Sequence, residues 1–246
     1  GRFPSGGFDF PNYATALVIL AGFGTPENAA YLRSAQLCEN LDFKPAQQQY
    51  GGWDLGVPER TGKWMRCDLS VTTFVLDAIG GNEKALVYVE RCRDPETGGF
   101  FFCPWGSKAG YRQLSDGSYR PRAYGSMTCD GIRAMLACGV SSGDTRIRKA
   151  REWLARHMTV EQNPGFADAT EEHRVYADAT LYYYYQTLAR TLEPGSPWRA
   201  KLAKAIMDRQ RPDGSWLNIH GNEYTREQEP IIATCFALVA LKALAR

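Results

Sequence analysis

The apolar residues of this chain recur in a frame: a threonine, an Ile or Leu four residues on, and an Ala six residues on. Thr15, Ile19 and Ala21 carry it first, followed by Thr72, Leu76 and Ala78, Thr128, Ile132 and Ala134, and Thr234, Leu238 and Ala240. A degenerate copy follows Thr180, where Tyr182 to Tyr185 and Leu188-Ala189 take the place of the frame. Successive threonines are 52 to 57 residues apart. Such a period over the whole chain predicts repeats that bury their apolar faces against one another. The frame lies in segments that are apolar almost all round, such as Ala14–Ala21, which predicts helices covered on more than one side.

Between these inner helices the pattern turns amphipathic and charged. Pro26–Leu41, Asn82–Cys92, Asp144–Met158 and Pro197–Gln210 predict outer helices. Thr25 precedes Pro26 and Ser196 precedes Pro197, each a capping side chain followed by the residue best suited to the first helical position; Asp144 or Thr145 caps the third. Each outer helix leads into a glycine-aromatic loop: Gly51-Gly-Trp53, Gly98-Gly-Phe100, Pro164-Gly-Phe166 and Asp213-Gly-Ser-Trp216, with a further copy at Gly6-Gly-Phe8. Glycine allows the tight turn, and the aromatic that follows is read first as a staple against a helix end. The loop from Phe100 to Tyr124 is longer and holds Trp105, Tyr111, Tyr119 and Tyr124 among Lys108, Arg112, Arg120 and Arg122. Its equivalents carry Trp53 and Trp64, and His220 and Tyr224. Loops at one point of every repeat gather on one face, and a long one is a functional candidate.

Composition narrows the picture little further. With 44% hydrophobic and 23% charged residues and a net charge of +2, the 246-residue chain reads as one ordinary globular domain. Its one basic cluster, Arg146, Arg148, Lys149 and Arg151, is the solvated face of a helix rather than a nucleic-acid stripe. No apolar run approaches the roughly 20 residues of a membrane span. The first residue is Gly1 rather than Met and no signal segment opens the chain, so the compartment stays open. Seven cysteines without a CxxC pair read as buried small hydrophobes, with one or two disulfides as the alternative for an exported protein. No metal or other cofactor is called for.

The stretch Gln210-Arg-Pro-Asp-Gly-Ser-Trp216 resembles the glutamine-tryptophan repeat of the prenyltransferase and squalene-oxidase repeat family, with looser copies at Gln49-Tyr-Gly-Gly-Trp53 and Thr97-Gly-Gly-Phe100. That family includes squalene-hopene cyclases, oxidosqualene cyclases and the β subunits of protein prenyltransferases. The resemblance spans essentially the whole chain, and Asp68-Leu-Ser-Val-Thr72, Tyr124-Gly-Ser-Met-Thr128 and the tyrosine-rich fourth helix look most like its short bacterial members. It implies an all-α fold, an α/α toroid of alternating inner and outer helices around an apolar cavity, with an outer helix missing at one end.

Two family chemistries can be tested against these residues. Proton-initiated cyclases carry Asp-x-Asp-Asp before the recurring threonine, whereas this chain has Asp68-Leu-Ser-Val71 and Tyr176-Ala-Asp-Ala179, each with a single acid. Protein prenyltransferases hold zinc through Asp-x-Cys and a later His. Here Asp178-Ala-Thr180 and Ala233 occupy those places, and neither a Thr hydroxyl nor an Ala methyl replaces the missing zinc ligands. A cyclase-like isomerase or lyase is therefore favoured over a zinc transferase, should the protein be an enzyme.

The remaining candidates lie where inner helices begin. Asp68, Asp178 and Glu229 are placed at such ends and Asp130 one turn further in, either capping backbone N–H groups or sharing raised pKa values as acids. His173, Arg174 and Tyr176 form the densest polar cluster, beside Asp178. Four consecutive tyrosines cover every direction of a helical turn, so at least one of them, with Tyr182 and Tyr183 as candidates, should face a cavity. The expected function is binding of an isoprenoid or another elongated apolar molecule, with Asp68, Asp130, Asp178, His173 and Tyr176 as candidate catalytic residues. Trp53, Trp105, Tyr124, Tyr182, Tyr183 and Trp216 are the candidate ligand contacts. Two alternatives stand beside it: a noncatalytic protein- or glycan-binding rim built on Trp53, Trp105, Tyr111 and Trp216, and a sugar-acid lyase using His173, Arg174 and Tyr176.

Overall fold

A computed structural model describes residues 10–56 and 67–246; the Gly6-Gly-Phe8 copy and Trp64 lie outside the described residues. The chain is mostly helical. Its helices are α1 (Pro11–Leu20), α2 (Pro26–Ser34), α3 (Leu69–Ile79), α4 (Glu83–Arg91), α5 (Gly125–Ala137), α6 (Thr145–His157), α7 (Glu171–Ala179), α8 (Leu181–Thr191), α9 (Pro197–Met207) and α10 (Pro230–Leu244). The strongest packing runs from α1 to α3, α5, α8 and α10 in turn, and α2, α4, α6 and α9 lean against that row. The recurring threonine frame thus falls on the inner row.

The caps follow from local chemistry. Thr25 and Asn28 form a reciprocal capping box, and the side chains of Asn82, Asp144 and Ser196 accept from the first turns of α4, α6 and α9. The α2 helix stops at Ser34 instead of reaching Leu41. Beyond it the Leu37 amide donates to the Gly52 carbonyl at 3.0 Å and its carbonyl accepts from Gly51 at 2.7 Å, so lateral bonds to the glycine loop replace the helical ladder.

The threonine of the frame has a structural task. The backbone N–H of Trp53 donates to Thr72 Oγ1 at 3.1 Å, that of Phe100 to Thr128 at 3.1 Å, and that of Trp216 to Thr234 at 3.0 Å. Each glycine-aromatic loop is thereby fastened to the inner helix that follows it. In the fourth unit Asn163 Nδ2 takes over, donating to Thr180 Oγ1 at 2.8 Å. The indoles also reach back to the preceding outer helix: Trp53 Nε1 donates to Leu32 O at 2.6 Å and Trp216 Nε1 to Ile206 O at 2.7 Å. Gly51 has φ 91°, and a Cβ there would stand 1.8 Å from the Lys84 carbonyl, so no other residue fits.

Two features depart from the expected pattern. The fourth inner segment is broken at Thr180 (φ −116°, ψ 29°), separating α7 from α8. The groups released by the break are met from the last loop: Glu227 accepts from the Tyr182 and Tyr183 amides at 2.9 and 2.8 Å, and Asn218 Nδ2 donates to Asp178 O at 2.8 Å. The long loop contains a hairpin, β1 (Tyr111–Gln113) antiparallel to β2 (Tyr119–Pro121), in which Arg112 pairs across from Arg120. Like charges opposite each other repel, but both guanidiniums bind the buried Asp94, at 2.9 and 3.1 Å, which fastens the hairpin after α4. Five of the seven cysteines, Cys38, Cys67, Cys92, Cys103 and Cys129, are buried.

Candidate functional site

The amino-terminal halves of the five inner-row helices face one cavity of about 660 Å³. Tyr13 comes from α1, Ser70 and Val71 from α3, Ser126 and Met127 from α5, Tyr183 from α8, and Ile232 and Phe236 from α10. Phe102 and Lys108 of the long loop and residues 223–227 of the last loop complete the wall. The lining is mainly apolar; of its rings, Tyr13 and Tyr183 are joined through Phe74 behind them and Tyr183 packs edge-on against Phe236, with centroids 4.9 to 6.3 Å apart.

Two buried carboxyl groups border this space. Asp68 caps α3, accepting from Val71 N at 2.9 Å. Burial lifts its pKa to about 6, against the opposing pull of that backbone bond and of Lys108. Glu227 is fully buried, and burial lifts it to about 7 although it accepts from Asn218 Nδ2 and from two amides of α8. A carboxylate at a helix start is favoured by the dipole; a dry environment acts against it and here prevails.

Both folded-state values lie above the ordinary ones, so the folded protein holds protons that the unfolded chain has released between about pH 4 and 7. Stability is therefore expected to fall as pH rises from 5 to 7, by up to about 1.4 kcal/mol per pH unit for each group. Urea unfolding at both pH values checks this. The strongly lowered carboxyls, Glu39 and Asp144, lie near 2 and do not titrate in that window, so a flat or rising profile would contradict the assignment.

Asp130 stands behind the wall and acts on the cavity through Tyr183. The Tyr183 hydroxyl donates to Asp130 Oδ2 at 2.7 Å and lies 2.8 Å from Ser70 Oγ. Asp130 is itself held by Arg133 Nη1 at 2.8 Å and by the Thr187 hydroxyl. Burial raises its pKa, with Arg133, Thr187 and Tyr183 opposing. Tyr124 also lines the cavity; it is 1% exposed and its hydroxyl has no hydrogen-bond partner among the described residues.

A second recess of about 450 Å³ adjoins the first, sharing Leu55, Asp68, Phe102 and Lys108 with it and adding Trp105, His173 and Tyr176. His173 Nδ1 lies 2.9 Å from the Lys108 carbonyl. A carbonyl only accepts, so Nδ1 carries the proton and Nε2 of the neutral ring is an acceptor.

The expected site is thus reshaped. Asp68, Tyr124 and Tyr183 reach the main cavity, Trp105, His173 and Tyr176 the recess, and Asp130 touches the wall from behind. Asp178 lines neither space and sits at the carboxyl end of α7 instead of opening an inner helix. Trp53, Trp216 and Tyr182 are buried away from both, because the indole N–H groups are committed to helix ends and Tyr182 packs edge-on against Tyr185 at 5.7 Å. Glu229, expected among the acids, caps α10 by position and pairs with Arg226, while Glu227 two residues earlier is the acid at the cavity. Arg174 donates to the Ala167 and Ala169 carbonyls and does not join His173 and Tyr176 in the recess. Among the described residues no cluster of three or more His, Cys, Asp or Glu is placed to hold a metal ion, and no helix is long and apolar enough to cross a membrane. A scan against protein-family models and a search of curated proteins returned no match.

Proposed function

We propose that the protein is a cyclase-like α/α toroid of the prenyltransferase and squalene-oxidase repeat type, which takes an isoprenoid or similar elongated apolar molecule into the main cavity. The observation that carries this reading is the cavity itself: about 660 Å³, mostly apolar and lined by all five inner-row helices. That volume lies within the roughly 300–1,000 Å³ of small-molecule sites. Support for a closed ring comes from α1 and α10, the two ends of the packing order, which contribute to the same cavity wall.

Acid chemistry on such a ligand falls to Asp68. It borders the cavity, and its neutral form persists to about pH 6, so it has a proton to give to an electron-rich double bond. Asp130 is engaged by Arg133, Thr187 and Tyr183, and Asp178 is outside. The binding-rim alternative draws less support, since two of its four aromatics, Trp53 and Trp216, are buried. The lyase alternative loses Arg174.

Native mass spectrometry of the purified protein, followed by solvent extraction, tests the reading, together with thermal shifts on adding squalene or a twenty-carbon prenyl alcohol. A copurified lipid or a raised melting temperature is expected. An empty protein indifferent to both additives would overturn the proposal.

A further inference from the structure

The junction of the two cavities holds a cation that makes no ion pair among the described residues. Lys108 is half-buried and borders both spaces. Its ammonium lies 4.3 Å from the centroid of Phe102 and 5.5 Å from that of Tyr176. Among the described residues no carboxylate is paired with it; Asp68 acts on it from further away. An ammonium held over aromatic faces and partly stripped of water gains strongly from a nearby anion. Its backbone is fixed from both sides: His173 Nδ1 donates to the Lys108 carbonyl, while Ser107 Oγ donates to Arg122 O at 2.6 Å and accepts from Ala109 N at 3.1 Å. His173 also lines the recess.

We infer that the ligand is an amphipath whose anionic head, a carboxylate or a phosphate, enters the recess beside Lys108 while its apolar part fills the main cavity. The inference rests on the cavity reading above and adds the head group to it. A wholly apolar occupant would leave the ammonium partly desolvated, with only the more distant Asp68 acting on it. A head seated at the recess satisfies it without displacing the aromatic wall.

The test compares twelve-carbon carboxylate, phosphate and alcohol ligands by calorimetry near pH 6, on the wild type and on Lys108→Met and Lys108→Arg. The wild type is expected to prefer at least one of the anions over the alcohol by about tenfold or more, and the two anion arms identify which head fits. Lys108→Met should bring the anion-to-alcohol ratio to near one, and Lys108→Arg should keep it well above one. Equal binding of alcohol and anions by the wild type, or a preference that survives Lys108→Met, would overturn the head-group assignment while leaving an apolar cavity in place. Failure of all three ligands to bind would overturn both.

Discussion

Replacing Arg133 with methionine is expected to destabilise the protein by about 3–5 kcal/mol, the usual cost of removing one partner from a buried ionic cluster. Arg133 is 7% exposed and lies between two carboxylates. It donates to Asp130 Oδ1 at 2.8 Å, to Thr187 Oγ1 at 2.7 Å and to Asp77. Arg190 donates to the same Asp77 oxygen at 2.8 Å, so two cations balance two anions at the junction of α3, α5 and α8. Methionine fills much of the space but leaves Asp130, fully buried, with no cation in contact among the described residues. Urea unfolding should register the loss, and a change below about 1 kcal/mol would show that the cluster is not tightly coupled to folding. Asp130→Asn combined with Arg133→Met should recover part of it, because the uncompensated charge is then gone. The cavity should also respond, since Asp130 fixes the Tyr183 hydroxyl beside Ser70 in its wall.

How much of this was legible in the sequence depends on the range of the forces involved. The caps at Thr25, Asn82, Asp144 and Ser196 act within three residues of themselves, and the sequence shows them, or an immediate neighbour, as the starts of their helices. The threonine frame revealed the inner row without revealing why threonine is used. Its hydroxyl meets an amide 18 to 28 residues earlier, a contact that local periodicity does not encode. Glu227 was missed for the same reason. It looks like one more acid before Pro230, yet its carboxylate caps α8, some 45 residues back along the chain. Its carboxylate meets amides left open by the break at Thr180, and that break is why Asp178 belongs to α7 and not to the start of an inner helix. Lys108 stood out only as a member of an unusually long loop; that no carboxylate among the described residues pairs with it is a property of the packed structure.

The tryptophan staples give the second large effect. Trp216→Ala is expected to cost about 3–5 kcal/mol, the range for truncating a large aromatic in a packed core. Trp216 is 2% exposed and joins the end of α9, through Ile206 O, to the start of α10, through Thr234. Alanine keeps the backbone bond to Thr234, so the loss measures the ring and its N–H alone. For a domain of this size the melting temperature should drop by roughly 6–20 °C. Trp53→Ala should behave alike, because its indole makes the corresponding bond to Leu32 O and its amide the corresponding bond to Thr72. An unchanged melting curve for either variant would remove the staple role. Ligand affinity separates this role from direct recognition: neither ring borders the cavity, so at temperatures where the variants remain folded their affinity should stay within about twofold of the wild type. A tenfold loss of affinity in a folded Trp216→Ala protein would instead place the ring in contact with the ligand and require a different occupied geometry of the last loop.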